Sequence, residues 1–150
     1  VLTIHAADEV RYVWDGTQEP IQDGAVAVEG VRVAEVGPLA EVRARFPDAR
    51  VRRWPGVLGP ARVHEGPLPD APSPRERVHA VLKLGAVAVL EEYAGTPELR
   101  AAAGRNDVLV LSGPRPVSIG STGRADLAVF DETGVCVATV CAGRLVHRRR

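Results

Sequence analysis

The chain has 150 residues, 45% hydrophobic and 25% charged, which fits one ordered domain with room for a core and argues against disorder. Nineteen basic residues balance nineteen acidic ones, so no acidic partner and no nucleic acid is expected. Two cysteines are too few for a disulfide framework, no apolar run approaches the roughly 20 residues that span a bilayer, and Thr3, His5, Asp8 and Glu9 interrupt any signal-peptide core. A cytoplasmic protein with no membrane association is therefore expected.

Val1–Ile4 and Val10–Trp14 read as two short strands, with turns at Asp15-Gly16 and Asp23-Gly24. Ala25–Val28 and Val31–Val36 then flank Glu29-Gly30, the pattern of a hairpin whose second strand alternates valine with polar residues. After Gly37-Pro38, the i, i+3, i+7 spacing of Leu39, Val42 and Phe46 predicts a short helix stopped by Pro47. Ala49–Trp54 reads as another strand.

The middle of the chain changes pattern. Ser73-Pro74-Arg75-Glu76 offers an N-cap, a proline in the first turn and a glutamate three residues after the cap, and Gly85 ends the predicted helix. Ala86–Leu90 and Val108–Leu111 are wholly apolar, as strands buried on both faces are. Thr96-Pro97-Glu98 opens a second helix, which Gly104 is expected to close. Residues 74–111 thus read α–β–α–β with one right-handed crossover. A loop over Ser112–Gly123 leads back to β patterning in Leu127–Phe130, Val135–Cys141 and Arg144–His147, with turns at Asp131–Gly134 and Ala142-Gly143.

Three stretches carry a resemblance. Ile21–Gly37 is similar to the N-terminal β-sandwich of the metal-dependent amidohydrolases. Trp54-Pro55-Gly56-Val57-Leu58-Gly59-Pro60 resembles their passage from sandwich to barrel, and Gly123–Asp131 with Ala142–Val146 resembles their C-terminal return. Within that superfamily the likeness is to imidazolonepropionase and aminodeoxyfutalosine deaminase, whose sandwich is a composite of both chain ends. The resemblance implies an α+β, mainly β fold. Residues 1–60 and 121–150 would form the composite sandwich, and residues 61–120 a short α/β insert, a remnant of the (β/α)8 barrel. A full barrel takes about 250 residues, far more than separate the two halves here.

The resemblance also implies where a metal would be held, and the residues there depart from it. The family's His-x-His positions fall on Gly66 and Leu68, and His64 falls on the residue before them. A catalytic zinc needs about three protein ligands and an open position, so no cofactor is expected; zinc or iron would enter only if the chain is an enzyme. The weak catalytic candidates are His64 and Glu65, read otherwise as exposed polar residues at a strand end. Glu91 and Glu92 are two more, placed where α/β sites form but read otherwise as solvated surface. His79 reads as a surface histidine, and His5 and His147 as terminal ones that the sandwich could bring near each other. Cys136 and Cys141, five apart on one strand, are expected on opposite faces as small buried residues. Ser118–Gly123 has no following helix and is no phosphate loop, and Arg148–Arg150 reads as a solvated terminus.

The expected function is that of an inactive amidohydrolase-like module that binds a ligand or partner subunit. The alternative is a hydrolase of non-peptide carbon–nitrogen bonds whose metal ligands come partly from a partner chain. The two apolar middle strands need cover on both faces, which predicts either packing by the sandwich, self-association or a partner protein.

Overall fold

A computed structural model describes residues 2–120 and 123–149. The first half holds β1 (Leu2–Val10), β2 (Ile21–Glu29), β3 (Arg32–Pro38), α1 (Leu39–Arg45) and β4 (Arg50–Pro60). Next come β5 (Arg62–His64), α2 (Pro74–Lys83), β6 (Ala86–Leu90), α3 (Pro97–Arg105) and β7 (Leu109–Leu111). The chain closes with β8 (Leu127–Phe130), β9 (Cys136–Cys141) and β10 (Arg144–Arg148).

Both chain ends build one seven-stranded sheet, in the order β10-β9-β8-β4-β1-β2-β3, and the middle builds a second sheet, β5-β6-β7. The architecture is α+β and mainly β. β4 is the seam of the large sheet. Along most of its length it pairs in parallel with β1, and through residues 57–60 it pairs antiparallel with β8.

The large sheet curls around its own inner face, where Val26, Val28 and Val33 meet Leu127, Val129 and Val140. Backbone bonds close the curl: the Ala125 amide donates to the Val31 carbonyl at 2.7 Å and the Val33 amide to the Gly123 carbonyl at 2.9 Å. At the same corner Gly143, at φ 82°, passes so near the Gly30 carbonyl that no Cβ would fit. The outer face is covered in two places. Leu39 and Val42 of α1 lie over Ile4, Ala6, Ala25 and Ala27, while α2 and α3 lie over Ala128, Phe130, Cys136 and Cys141.

Several local expectations change. Val1 lies outside the described residues, and Leu2–Val10 forms one strand rather than the ends of two. Its polar residues are satisfied within the sheet: His5 accepts from the Trp54 indole, and Asp8 accepts the Gly56 amide at 2.9 Å beside a bulge. Beyond Val10 the chain leaves the sheet. Trp14 anchors it instead, donating to the Pro60 carbonyl at 2.7 Å and meeting Phe130 edge-on. Asp23-Gly24 lies inside β2, not in a turn. Asp23 absorbs a kink at φ 48°, and Gly24 sits under Val10, where a Cβ would come within 2.8 Å. The strand begun near Ala49 continues to Pro60 because Gly56, at φ 100°, can approach the Phe130 carbonyl.

In the middle, Ser73 accepts the Glu76 amide at 3.2 Å and Gly85, at φ 85°, follows α2. α3 runs past Gly104 to Arg105, where the Asn106 side chain caps the Ala102 carbonyl at 2.7 Å. The short strand that the resemblance places before His64 is β5, three residues whose own pattern is too short to register. With it the unit is β–α–β–α–β, all three strands parallel.

All of β6 is buried within this one chain, and its Ala86, Val87 and Val89 share a core with α2, α3 and the large sheet. Thr139 of β9, fully buried, donates to the Leu82 carbonyl at the end of α2 at 2.7 Å. Cys136 and Cys141 face the same side, not opposite sides. A bulge shifts the register between Val129 and Phe130, which turns Cys136 toward the α2–α3 layer with Cys141.

Candidate functional site

The C-terminal ends of three adjacent parallel strands are where α/β folds place chemistry, because loops there converge on one edge. His64 pairs in register with Val89, and Leu90 with Leu111, so the residues after β5, β6 and β7 emerge at one end of the small sheet. His64, Glu65, Glu91 and Glu92 all belong to this end.

Their surroundings differ from a ligand set. The His64 Nε2 lies 2.9 Å from the Pro67 carbonyl, an interaction that ties the ring to its own loop. Gly66 carries no side chain. Leu68 is 3% exposed and packs among Val78, Val81 and Leu82 of α2. Arg77 holds this loop down, donating to the Leu68 carbonyl at 3.0 Å and the Pro69 carbonyl at 3.2 Å. Glu65 is exposed, as are Glu91 and Glu92, which sit in a single 3-10 turn after β6. Among the described residues no three His, Cys, Asp or Glu side chains are grouped to hold a metal. A zinc or iron ion therefore does not fit the residues at the family's position: one histidine is engaged by a carbonyl and the Leu68 side chain is a core anchor.

The remaining candidates fall elsewhere. His79 is exposed on α2. His5 and His147 do not meet. His5 pairs in register with inward-facing Val26, whereas His147 pairs with Thr139 on the face toward α2. Burial pushes the His5 pKa down to about 4, helped by the Arg52 charge. Burial also lowers His147, against a backbone hydrogen bond at Cys136 that raises it and with Lys83 and His79 adding to the lowering. Both cysteines are free and buried; burial raises the Cys136 thiol and lifts the Cys141 thiol to about 11, so neither is a ready nucleophile at neutral pH.

The Gly-rich segment 118–123 includes Ser121 and Thr122, which lie outside the described residues. Its Ile119 is buried, and the Ile119 amide donates to the Tyr12 carbonyl at 2.9 Å. The C-terminal arginines are more engaged than a solvated tail would be. Arg149 pairs with Asp131 at 2.6 Å, and the Thr133 hydroxyl and Arg149 together hold that carboxyl below its usual range; Arg150 lies outside the described residues.

Sequence reading also missed a cleft of about 250 Å³ on the small sheet, bounded by Val63, Ala88, Leu109, Arg115, Arg124 and Asp126. Arg124 and Asp126 form an ion pair at 2.7 Å across its rim. Arg62 lies 4.1 Å above the Phe130 ring and 4.9 Å above the Trp14 ring. The i, i+2 spacing of Arg124 and Asp126 was the one signal available for it.

Residues 24–49 match the family model described as the imidazolonepropionase-like composite domain of bacteria. No curated protein matches the chain by sequence. Among solved structures, the adenosine deaminase from Xanthomonas campestris with bound zinc is similar at a TM-score of 0.55 and 19% identity, over 73% of this chain and 33% of that one. The E. coli guanine deaminase is similar at 0.55 and 16%, over 73% and 35%. The guanine deaminase from Bradyrhizobium japonicum is similar at 0.54 and 14%, over 73% and 34%. The chain thus spans about a third of the length of these structures. Over about three-quarters of its length the chain thus shares its fold with part of these deaminases, and over residues 24–49 it resembles the imidazolonepropionase-like composite domain.

Proposed function

We propose that this chain is a non-catalytic binding or partner-subunit module built on the amidohydrolase composite fold. The observation that carries the reading is Leu68. The family's second histidine would stand there, and here a buried leucine fastens the loop to α2. Exchanging it for a ligand would cost core stability as well as leave the first position, Gly66, empty.

The partner half of the reading rests on β7. This strand has β6 on one side only, and among the described residues no backbone bond reaches its outer edge. Leu109, Val110 and Leu111 are half-buried there. An open, apolar parallel edge suits addition of a strand from a second copy or from another protein. No helix among the described residues is long and apolar enough to cross a membrane, and we assign the chain to the cytoplasm, without nucleic acid as a partner.

A second reading has one observation in its favour: His64, Glu65 and Glu91 leave neighbouring strands at the same end of the small sheet. A partner chain adding metal ligands there would give a hydrolase of non-peptide carbon–nitrogen bonds. Sedimentation equilibrium combined with amide exchange tests the module reading. Concentration-dependent association with slowed exchange at Leu109–Leu111 is expected. A monomer at all concentrations, with fast exchange at Leu109–Leu111 throughout, contradicts it.

A further inference from the structure

The face of the small sheet turned away from α2 and α3 carries a hollow. Val63, Ala88 and Leu109 lie side by side, in register, across β5, β6 and β7. The chain neighbours Val87, Val89 and Val110 pack with the helices, so strand alternation turns Ala88 and Leu109 to the opposite face. The middle side chain of this row is the smallest, which leaves a depression between a valine and a leucine. Ala88, 2% exposed, lies at its bottom. Pro60 and Ala61 line it where β4 passes into β5, and residues 115–118 line it from the loop after β7, giving the cleft of about 250 Å³.

The charged groups around the cleft are not equivalent. Asp126 neutralises the Arg124 guanidinium at 2.7 Å, and the same carboxylate accepts the Ala142 amide at 2.9 Å. The Arg62 guanidinium is held over the Phe130 and Trp14 rings, and Phe130 belongs to the core on the helix side. Arg115 is exposed and forms no ion pair among the described residues. An apolar floor with one uncommitted guanidinium at its margin is complementary to a molecule with an apolar body and a single negative charge.

We propose that this cleft binds a small aliphatic monocarboxylate, its carboxylate on Arg115 and its chain over Val63, Ala88 and Leu109. The guanidinium fork matches the two oxygens of a carboxylate. A phosphate monoester would bring a second negative charge, for which the cleft holds no uncommitted cation. No aromatic side chain lines the floor, so a planar ring has nothing to stack on. The volume lies below the roughly 300 to 1,000 Å³ of pockets for drug-sized ligands, which favours a short chain. The cleft lies on the sheet face, apart from His64, Glu65 and Glu91 at the strand ends. It stands whether or not β7 takes up a partner strand, since the floor uses side chains and the edge uses backbone.

Hexanoate, titrated into the full chain at neutral pH and followed by amide NMR shifts, is the probe. Saturable shifts at Ala88, Leu109 and Ser118 that share one dissociation constant are expected. Hexan-1-ol keeps the chain without the charge, and acetate keeps the charge without the chain. Each is expected to bind at least about 10-fold more weakly than hexanoate. Arg115→Gln is expected to weaken hexanoate by about 10-fold, whereas Arg75→Gln, exposed at the start of α2, should leave it unchanged. Ala88→Leu fills the hollow and should abolish binding. Should that variant fail to fold, Arg115→Gln, on an exposed stretch of loop, still decides the matter. Absence of saturable shifts, equal affinity for hexan-1-ol or acetate, or equal affinity in Arg115→Gln would overturn the proposal. Tighter binding of inorganic phosphate than of hexanoate at the same amides would also overturn it.

Discussion

His5 makes the stability of the large sheet depend on pH in a direction that can be worked out beforehand. Its pKa falls from 6.5 to about 4 on folding, chiefly because burial disfavours the imidazolium and secondarily because Arg52 repels it. Above pH 6.5 the ring is neutral in both states and contributes no pH dependence. Between about pH 6.5 and 4 the unfolded chain takes up a proton that the folded chain refuses, so stability falls as pH falls. At about 1.4 kcal/mol per pKa unit, the full loss is on the order of 3 kcal/mol. His5→Asn is the informative variant, since the amide oxygen can accept the Trp54 indole N–H near the position of Nδ1. It should lose about 1 to 3 kcal/mol at pH 7 through the missing ring, yet show a shallower decline toward pH 4. Denaturant melts from pH 7 to pH 4 on both chains measure the difference, which removes the carboxylates common to them. Parallel curves would refute a buried neutral His5.

Four further substitutions probe the joints of the fold, all read by equilibrium denaturation. Gly143→Ala should destabilise by more than about 2 kcal/mol, because it adds a clash with the Gly30 carbonyl to the left-handed backbone cost. Gly134→Ala, with open space around it, should pay only the backbone cost of about 1 to 2 kcal/mol. Thr139→Val, nearly isosteric, should cost about 1 kcal/mol by removing the hydroxyl that joins β9 to the end of α2, the Leu82 carbonyl keeping only the Gly85 amide at 3.1 Å. Leu68→Ala should cost about 3 kcal/mol if the loop after β5 is fastened through the core.

The parts of the fold legible in the sequence were those with local grammar. The β2–β3 hairpin, the Ser73 cap and the apolar run of β6 each carry their signal within a few residues. What was illegible depended on distant partners. Leu2–Val10 is continuous because Trp54 and Gly56 satisfy His5 and Asp8 from β4, some fifty residues away. The two cysteines share a face because of a bulge, which a count by twos cannot reveal. β5 is three residues long and is a strand only because β6 lies beside it. At the candidate site, the substitution of Gly66 and Leu68 for ligands was visible in the sequence, whereas the packing of Leu68 under α2 was not.

We propose that a fold shared with zinc-dependent and other deaminases here serves binding without metal-dependent hydrolysis. Protein purified without chelators, then incubated with zinc or iron and desalted, can be assayed for bound metal and for turnover of guanine and adenosine. No stoichiometric metal and no ammonia release above the protein-free rate is the expected result. A bound equivalent of metal with chelator-sensitive turnover would contradict it.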